Sequence, residues 1–274
     1  MGLENLSKIT GDYFLFDGSD STSLMGAYEV FKYSNAKYLF KNQLLDREEY
    51  RKPTAFNKWF FGNGSDLDLS YDIPLEDWNR IKLSGWNLGY LLPHYRDFFP
   101  MPNTKNLDVC AIYQANHDYS EDHGVQNNNY YTNHRKDVWK ILSNKYSSTK
   151  DRLPYDEYIR ILRNSKVAIS PFGMGELCFR DFECMKFGTV IVKPDMKKIN
   201  TFPNIYLGNE TYLSVNYDWK NLNEVIDNFL SNFKELNEKI NDNIRNLFSK
   251  EYTYENLCMY WYNIFKNLDN IGVE

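Results

Sequence analysis

The chain is poor in cysteine, in basic charge and in long apolar runs, and each shortage narrows what it does. Cys110, Cys178, Cys184 and Cys258 are scattered, with no pair at the C-x-x-C spacing of a zinc or dithiol site. They read as small buried apolar residues in a reducing compartment. No stretch approaches the length that spans a bilayer, and the opening residues lack the basic and apolar blocks of an export signal. A cytoplasmic, soluble protein without a transmembrane segment is expected. Lysine and arginine number 32 against 37 aspartates and glutamates, a net charge of −5, and no basic block is dense enough to neutralise a phosphate backbone. Nucleic acid is excluded as a partner on this ground.

What is abundant is apolar and aromatic substance: 42% and 17% of 274 residues, enough for one large domain or two small ones. A short aromatic run at 13–16 breaks into Asp17-Gly18-Ser19-Asp20, strand followed by turn. A helix over 23–33 and a strand over 36–40 begin a β-α-β alternation. The text from 47 to 92 is irregular, with Trp59, Trp78 and Trp86 set among glycines, asparagines and aspartates. Three prolines in 93–106 suit a linker. Beyond it the alternation resumes: strand 107–113, a helix capped by Asn133, helix 155–163, strand 166–170, helix 176–187 and strand 189–192, a parallel sheet with helical crossovers. Apolar residues recur at helical spacing from Leu222 to Leu247, as one amphipathic helix or a broken pair, and a last helix over 254–268 carries Tyr260, Trp261 and Phe265 on one side.

In an open parallel sheet, ligands sit beyond the carboxyl ends of the strands, where glycine turns and helix N-termini aim backbone N–H groups at anions. Ser170-Pro171-Phe172-Gly173-Met174-Gly175-Glu176 lies at such a junction. Arg180 and Glu183 follow on the next helix. A guanidinium suits a diphosphate, because it forms bidentate hydrogen bonds and stays charged at working pH. A carboxylate suits ribose, because it accepts from two vicinal hydroxyls. The same spacing also suits a surface ion pair three residues apart beside an ordinary turn.

The segment SKVAISPFGMGELCFRDFECMKFGTVIVKPDM resembles the donor-binding segment of GT-B glycosyltransferases, and is most similar to exostosin-like enzymes and the related glycosyltransferase-1 family. The likeness rests on Ser170-Pro171, the R-x-x-E run from Arg180 to Glu183, the break at Gly188-Thr189 and the strand ending at Pro194, about one eighth of the chain. It implies an α/β, GT-B-like fold: two Rossmann-like domains facing a cleft, with a reduced N-terminal acceptor-side domain at 1–103, a nucleotide-sugar domain at 104–250, and a C-terminal helical piece at 251–274 packing back on the first. Compact members of this kind look like those of large DNA viruses or microbes.

The activity implied is transfer of a sugar from a nucleoside-diphosphate sugar, UDP favoured over GDP, to a hydroxyl of a glycan acceptor, with no metal or other cofactor. Arg180, Glu183, Glu176, Ser170, Gly173, Gly175, Arg135, His134 and Lys193 are the candidate donor-binding residues. Glu176 and Glu183 enclose six residues where the retaining pattern has seven, so inversion is favoured. An inverting enzyme needs a base, and Asp20, ahead of Asp17, is its candidate at the end of the first strand; Asp-Gly-Ser-Asp is also good turn chemistry. The ligand-rich loop at His117, Asp118, Glu121, Asp122 and His123 and the D-x-D triplet Asp66-Leu67-Asp68 are not taken as metal sites. The competing reading is a catalytically silent sugar- or nucleotide-binding module of a larger glycan-synthesis complex.

Overall fold

The computed structural model describes residues 8–52, 72–84, 105–113, 130–142, 146, 153–173, 175–202 and 204–269. The ligand-rich loop at 117–123, the D-x-D triplet, Trp59 and Trp86 lie outside them. Two parallel sheets carry the chain. The first has β1 (Phe14–Asp17), β2 (Tyr38–Lys41) and β4 (Ile81–Leu83) in the order β1-β2-β4, with α1 (Met25–Lys32) between the first two. The second has β5 (Leu107–Cys110), β6 (Ser165–Ile169), β7 (Val190–Pro194) and β9 (Leu213–Val215), all parallel and in that order. Parallel strands need crossovers, and α4 (Tyr130–Leu142), α5 (Tyr155–Asn164) and α6 (Phe179–Lys186) lie between those of the second sheet.

The inner strands of the second sheet read as unbroken apolar runs because both faces are covered. Val167 to Ile169 and Val190 to Val192 are all buried. Against them the long amphipathic stretch breaks at Asn232 into α7 (Leu222–Ser231) and α8 (Phe233–Lys250), which bury Leu222, Ile226 and Phe229, then Ile240, Ile244 and Leu247. Gly188 takes φ +65° just after α6, a left-handed turn that glycine adopts without strain, and this lets the chain enter β7 at once.

Three local expectations change. Asn133 is not a cap: the helix already begins at Tyr130, and Asn133 is exposed inside it. The helix expected from residue 176 begins at Phe179, because Cys178 is extended and is joined to Asp181 in a reciprocal capping arrangement. Glu176 therefore sits in the loop before the helix. Two short strands, β3 (Gln43–Leu45) and β8 (Ile199–Thr201), pair antiparallel across the two halves of the chain, flanked by α2 (Arg47–Tyr50) and hydrogen bonds from Lys198 to Glu49 and Asn200 to Asp46.

After the short helix α3 (Leu75–Trp78), the outer face of the first sheet is met by α9 (Tyr254–Asp269). Phe14, Phe16 and Phe40 project toward it. Trp261 lies 5.9 Å from the Phe40 ring and 6.4 Å from that of Phe16, and Phe265 lies 6.3 Å from Phe14. Tyr260 stacks on Phe202 at 3.7 Å and donates to the Leu83 carbonyl at 2.6 Å. The C-terminal helix thus reaches strands β1, β2 and β4 and the segment after β8 together. Trp261→Ala removes the ring that joins these layers; a loss of about 2 kcal/mol in stability is expected, read as a lower urea midpoint at unchanged slope.

Candidate functional site

Strand β6 ends against β7, where the Ser170 N–H donates to the Val192 carbonyl at 2.8 Å. From there the loop 171–178 leads into α6, and its geometry is set from below by the buried carboxylate of Asp181. Asp181 accepts from the Ser170 hydroxyl at 2.5 Å, from the Tyr206 hydroxyl, and from the Cys178 N–H at 3.4 Å, and it pairs with Lys193 at 3.1 Å. Both members of that ion pair are fully buried. Such a pair is held only when its remaining hydrogen-bonding capacity is met. Ser170 and Lys193, expected among the donor ligands, are thus built into the foundation of the loop, with Lys193 0% exposed.

Above this foundation two guanidiniums converge. Arg135 donates from Nε to the Phe172 carbonyl at 2.9 Å, and its guanidinium carbon lies 5.7 Å from the centre of the Tyr113 ring. Arg180 lies over the same ring, also at 5.7 Å. Its Nε is enclosed and has no hydrogen-bond partner among the described residues. An enclosed donor left unmet costs on the order of 1–3 kcal/mol, and an anion placed there removes that cost. Gly173 donates its N–H to the Gly175 carbonyl at 2.9 Å, and a Cβ on Gly173 would stand 2.7 Å from Nη2 of Arg135, so any larger residue would push the guanidinium tip aside.

Glu183 faces the same region from the next turn of α6. Its Oε2 accepts from the Tyr158 hydroxyl at 2.7 Å, and no ion pair joins it to Arg180 among the described residues, so the simple surface-pair alternative is not what forms. His134 and Arg135 were expected to open α4, but they occupy its second turn, past the reach of the terminal dipole. His134 is an apolar-walled group: its Nδ1 accepts from Trp219 Nε1 at 3.1 Å and its ring lies 4.7 Å from that of Tyr217. Burial, with the charges of Arg135 and Lys193, pushes its pKa down to about 3. It is neutral at working pH and adds shape, not charge.

The loop after β1 meets this region from the other sheet. Lys41, the buried last residue of β2, donates to the carbonyl and hydroxyl of Ser19 at 3.2 and 2.7 Å and pairs with Asp17 at 3.0 Å. Asp17 also accepts from the Ser19 N–H at 2.9 Å, so both its oxygens are engaged in shaping the turn. Asp20 differs: its side chain is exposed, and its carboxylate accepts no hydrogen bond among the described residues. Partial desolvation pushes the Asp20 pKa up, against the pull of Lys41. Its carbonyl accepts from Gln43 and lies against Gly175, where any Cβ would overlap it.

Glu176 closes the crossing. It is 0% exposed, and its two oxygens take the N–H and hydroxyl of Thr22 at 3.0 and 2.8 Å. Burial raises its pKa to about 7, with the Thr22 bonds and Lys41 opposing the rise. Sequence reasoning missed Tyr113, Tyr158, Asp181, Thr22 and Lys41. Lys41 carried a signal, being a lone charge ending an apolar strand; Thr22 carried none.

No known family profile matches the chain, and no curated protein matches it. Among solved structures it is similar to a glycosyltransferase from Rickettsia africae ESF-5, with 14% identity over 93% of this chain and 76% of that one and a TM-score of 0.45. TarM matches at 12% identity over 96% of this chain and 57% of that one, TM-score 0.45. Anabaena Alr3699/HepE in complex with UDP and glucose matches at 10% identity over 93% and 71%, TM-score 0.48. The α/β class of this chain rests on its own two parallel sheets.

Glu176 and His134 make opposite contributions to stability against pH. The folded chain keeps the Glu176 proton to about pH 7 while the unfolded chain releases it near the ordinary 4.5, so stability falls as pH rises between these values. The unfolded chain protonates His134 below 6.5 while the folded chain resists to about 3, so stability rises with pH across that interval. Between 4.5 and 6.5 the two slopes cancel. Glu176→Gln removes one of them, and its melting temperature should climb over that interval where that of the wild type stays nearly level; equal climbs would refute the assignment.

Proposed function

We propose that this chain is a glycosyltransferase that moves a sugar from a nucleoside-diphosphate donor, UDP before GDP, to a hydroxyl of a glycan acceptor. The observation that carries the reading is the approach of Arg135 and Arg180, from two different helices, to the one ring of Tyr113, which follows β5. Two fixed guanidiniums and the Gly173 turn suit a diphosphate whose charge grows as the glycosidic bond breaks. They supply the neutralisation that a bound metal supplies elsewhere, so the transfer is read as metal-independent.

Glu183, steadied by Tyr158, is one helical turn from Arg180, the separation at which a carboxylate reaches ribose while the guanidinium holds phosphate. His134 and Phe172 form a neutral wall beside the turn. Asp20 is the base: it takes the acceptor hydroxyl proton, the oxygen bonds to the anomeric carbon, and the bond to the diphosphate breaks with its electron pair leaving on phosphate. That course inverts the anomeric centre. Asp17, engaged with Lys41 and Ser19, shapes the turn that presents Asp20. The strands β1, β2 and β4 with α9 form the acceptor side, and β5, β6, β7 and β9 the donor side.

Titration calorimetry with UDP, GDP and their nucleosides tests the donor site. Arg180→Ala should weaken nucleoside-diphosphate binding at least tenfold and leave nucleoside binding within about twofold; a variant that binds the diphosphate as tightly as wild type overturns the assignment. Asp20→Asn should keep nucleotide affinity and lower turnover by about 10²–10⁴. Tight binding by the wild type with no hydrolysis or transfer from any donor would favour the silent binding module.

A further inference from the structure

We infer that Glu176 is a positioning residue that ties the loop bearing Asp20 to the donor-side glycine turn, and is not a ligand of the sugar. The inference rests on the reading of Asp20 as the base. Two contacts join the two loops, and a third, from β3, steadies the Asp20 side; all engage Asp20 or Thr22. Glu176 holds both the N–H and the hydroxyl of Thr22, two residues after Asp20. Gly175 lies against the Asp20 carbonyl so closely that no other residue fits. Gln43, which opens β3, donates to the same carbonyl.

With both oxygens spent on Thr22 and none of its surface accessible, Glu176 has nothing left to offer a sugar hydroxyl. Its position one residue from Gly175 makes it the point where the donor loop is fastened to the acceptor side. The charged groups that face it are Lys41 at the end of β2 and, through Lys41, Asp17 and Asp20; Lys41 compensates more than one carboxylate there. A bond pair to a single residue 154 positions away fixes where the loop stands, and through it where the Asp20 carboxylate stands relative to the anomeric carbon.

Hydrogen exchange of the segment 18–24 and steady-state kinetics on the full chain test this together. In Glu176→Ala the segment should exchange at least tenfold faster while 105–113 is unchanged, and kcat should drop at least tenfold with nucleotide affinity within twofold of wild type. Glu176→Gln retains one acceptor and one donor for Thr22 and should restore slow exchange and most of kcat. Thr22→Val, nearly isosteric, removes one of the two bonds and should fall between them, which keeps the test open if the alanine variant does not fold. Unchanged exchange in both Glu176→Ala and Thr22→Val, or a loss that appears in nucleotide affinity with kcat intact, overturns the inference. A wild-type chain that binds no nucleotide overturns the proposed function instead and leaves the exchange result to decide the loop tie by itself.

Discussion

The buried carboxylate of Asp181 is the constraint on which the junction of β6, β7 and α6 depends. It collects a hydroxyl from the end of β6, an ammonium from β7, a phenol from the segment after β8 and the N–H that begins α6. Removing either charge of its pair with Lys193 would leave the other uncompensated in the interior, a loss on the order of 3–5 kcal/mol. Because Asp181 is the third residue of α6, the same contacts that satisfy it set the angle of that helix. Arg180 and Glu183 inherit their direction from this fixed start.

A second level of order lies between the two sheets. The helices of the second sheet bring guanidiniums, at Arg135 and Arg180. The loop after β1 brings carboxylates, at Asp17 and Asp20, with Lys41 held inside to limit their mutual repulsion. That loop and the loop leading into α6 cross at Gly175 and Glu176. The crossing is fastened by hydrogen bonds and a glycine contact, and β3 with β8 and the aromatic face of α9 add ties outside it. The proposed transfer would use this division, since its leaving group gains negative charge while its acceptor loses a proton.

Much of this was legible in the sequence where the signal was local. The strands β6 and β7 announced themselves as apolar runs, α6 through Arg180 and Glu183, and its end through Gly188. The reading failed where the deciding partner was remote. Glu176 was placed on the helix because nothing in Gly173 to Glu176 marks the extended residue at Cys178, and its true partner Thr22 stands far away in the sequence. Lys193 was expected among the donor ligands, yet burial beside Asp181 makes it structural. His134, expected as a donor ligand, is kept uncharged by an aromatic enclosure formed by Tyr217 and Trp219, some eighty residues on. The strands β3 and β8 have three residues each, too short for any periodicity to show.

The most direct test of the account is a crystal structure of the chain soaked with UDP. The account predicts diphosphate oxygens within about 3 Å of both the Arg135 and Arg180 guanidiniums, ribose hydroxyls on Glu183, and Glu176 still bonded to Thr22. A nucleotide bound with its diphosphate away from both arginines, or with its sugar on Glu176, would contradict it.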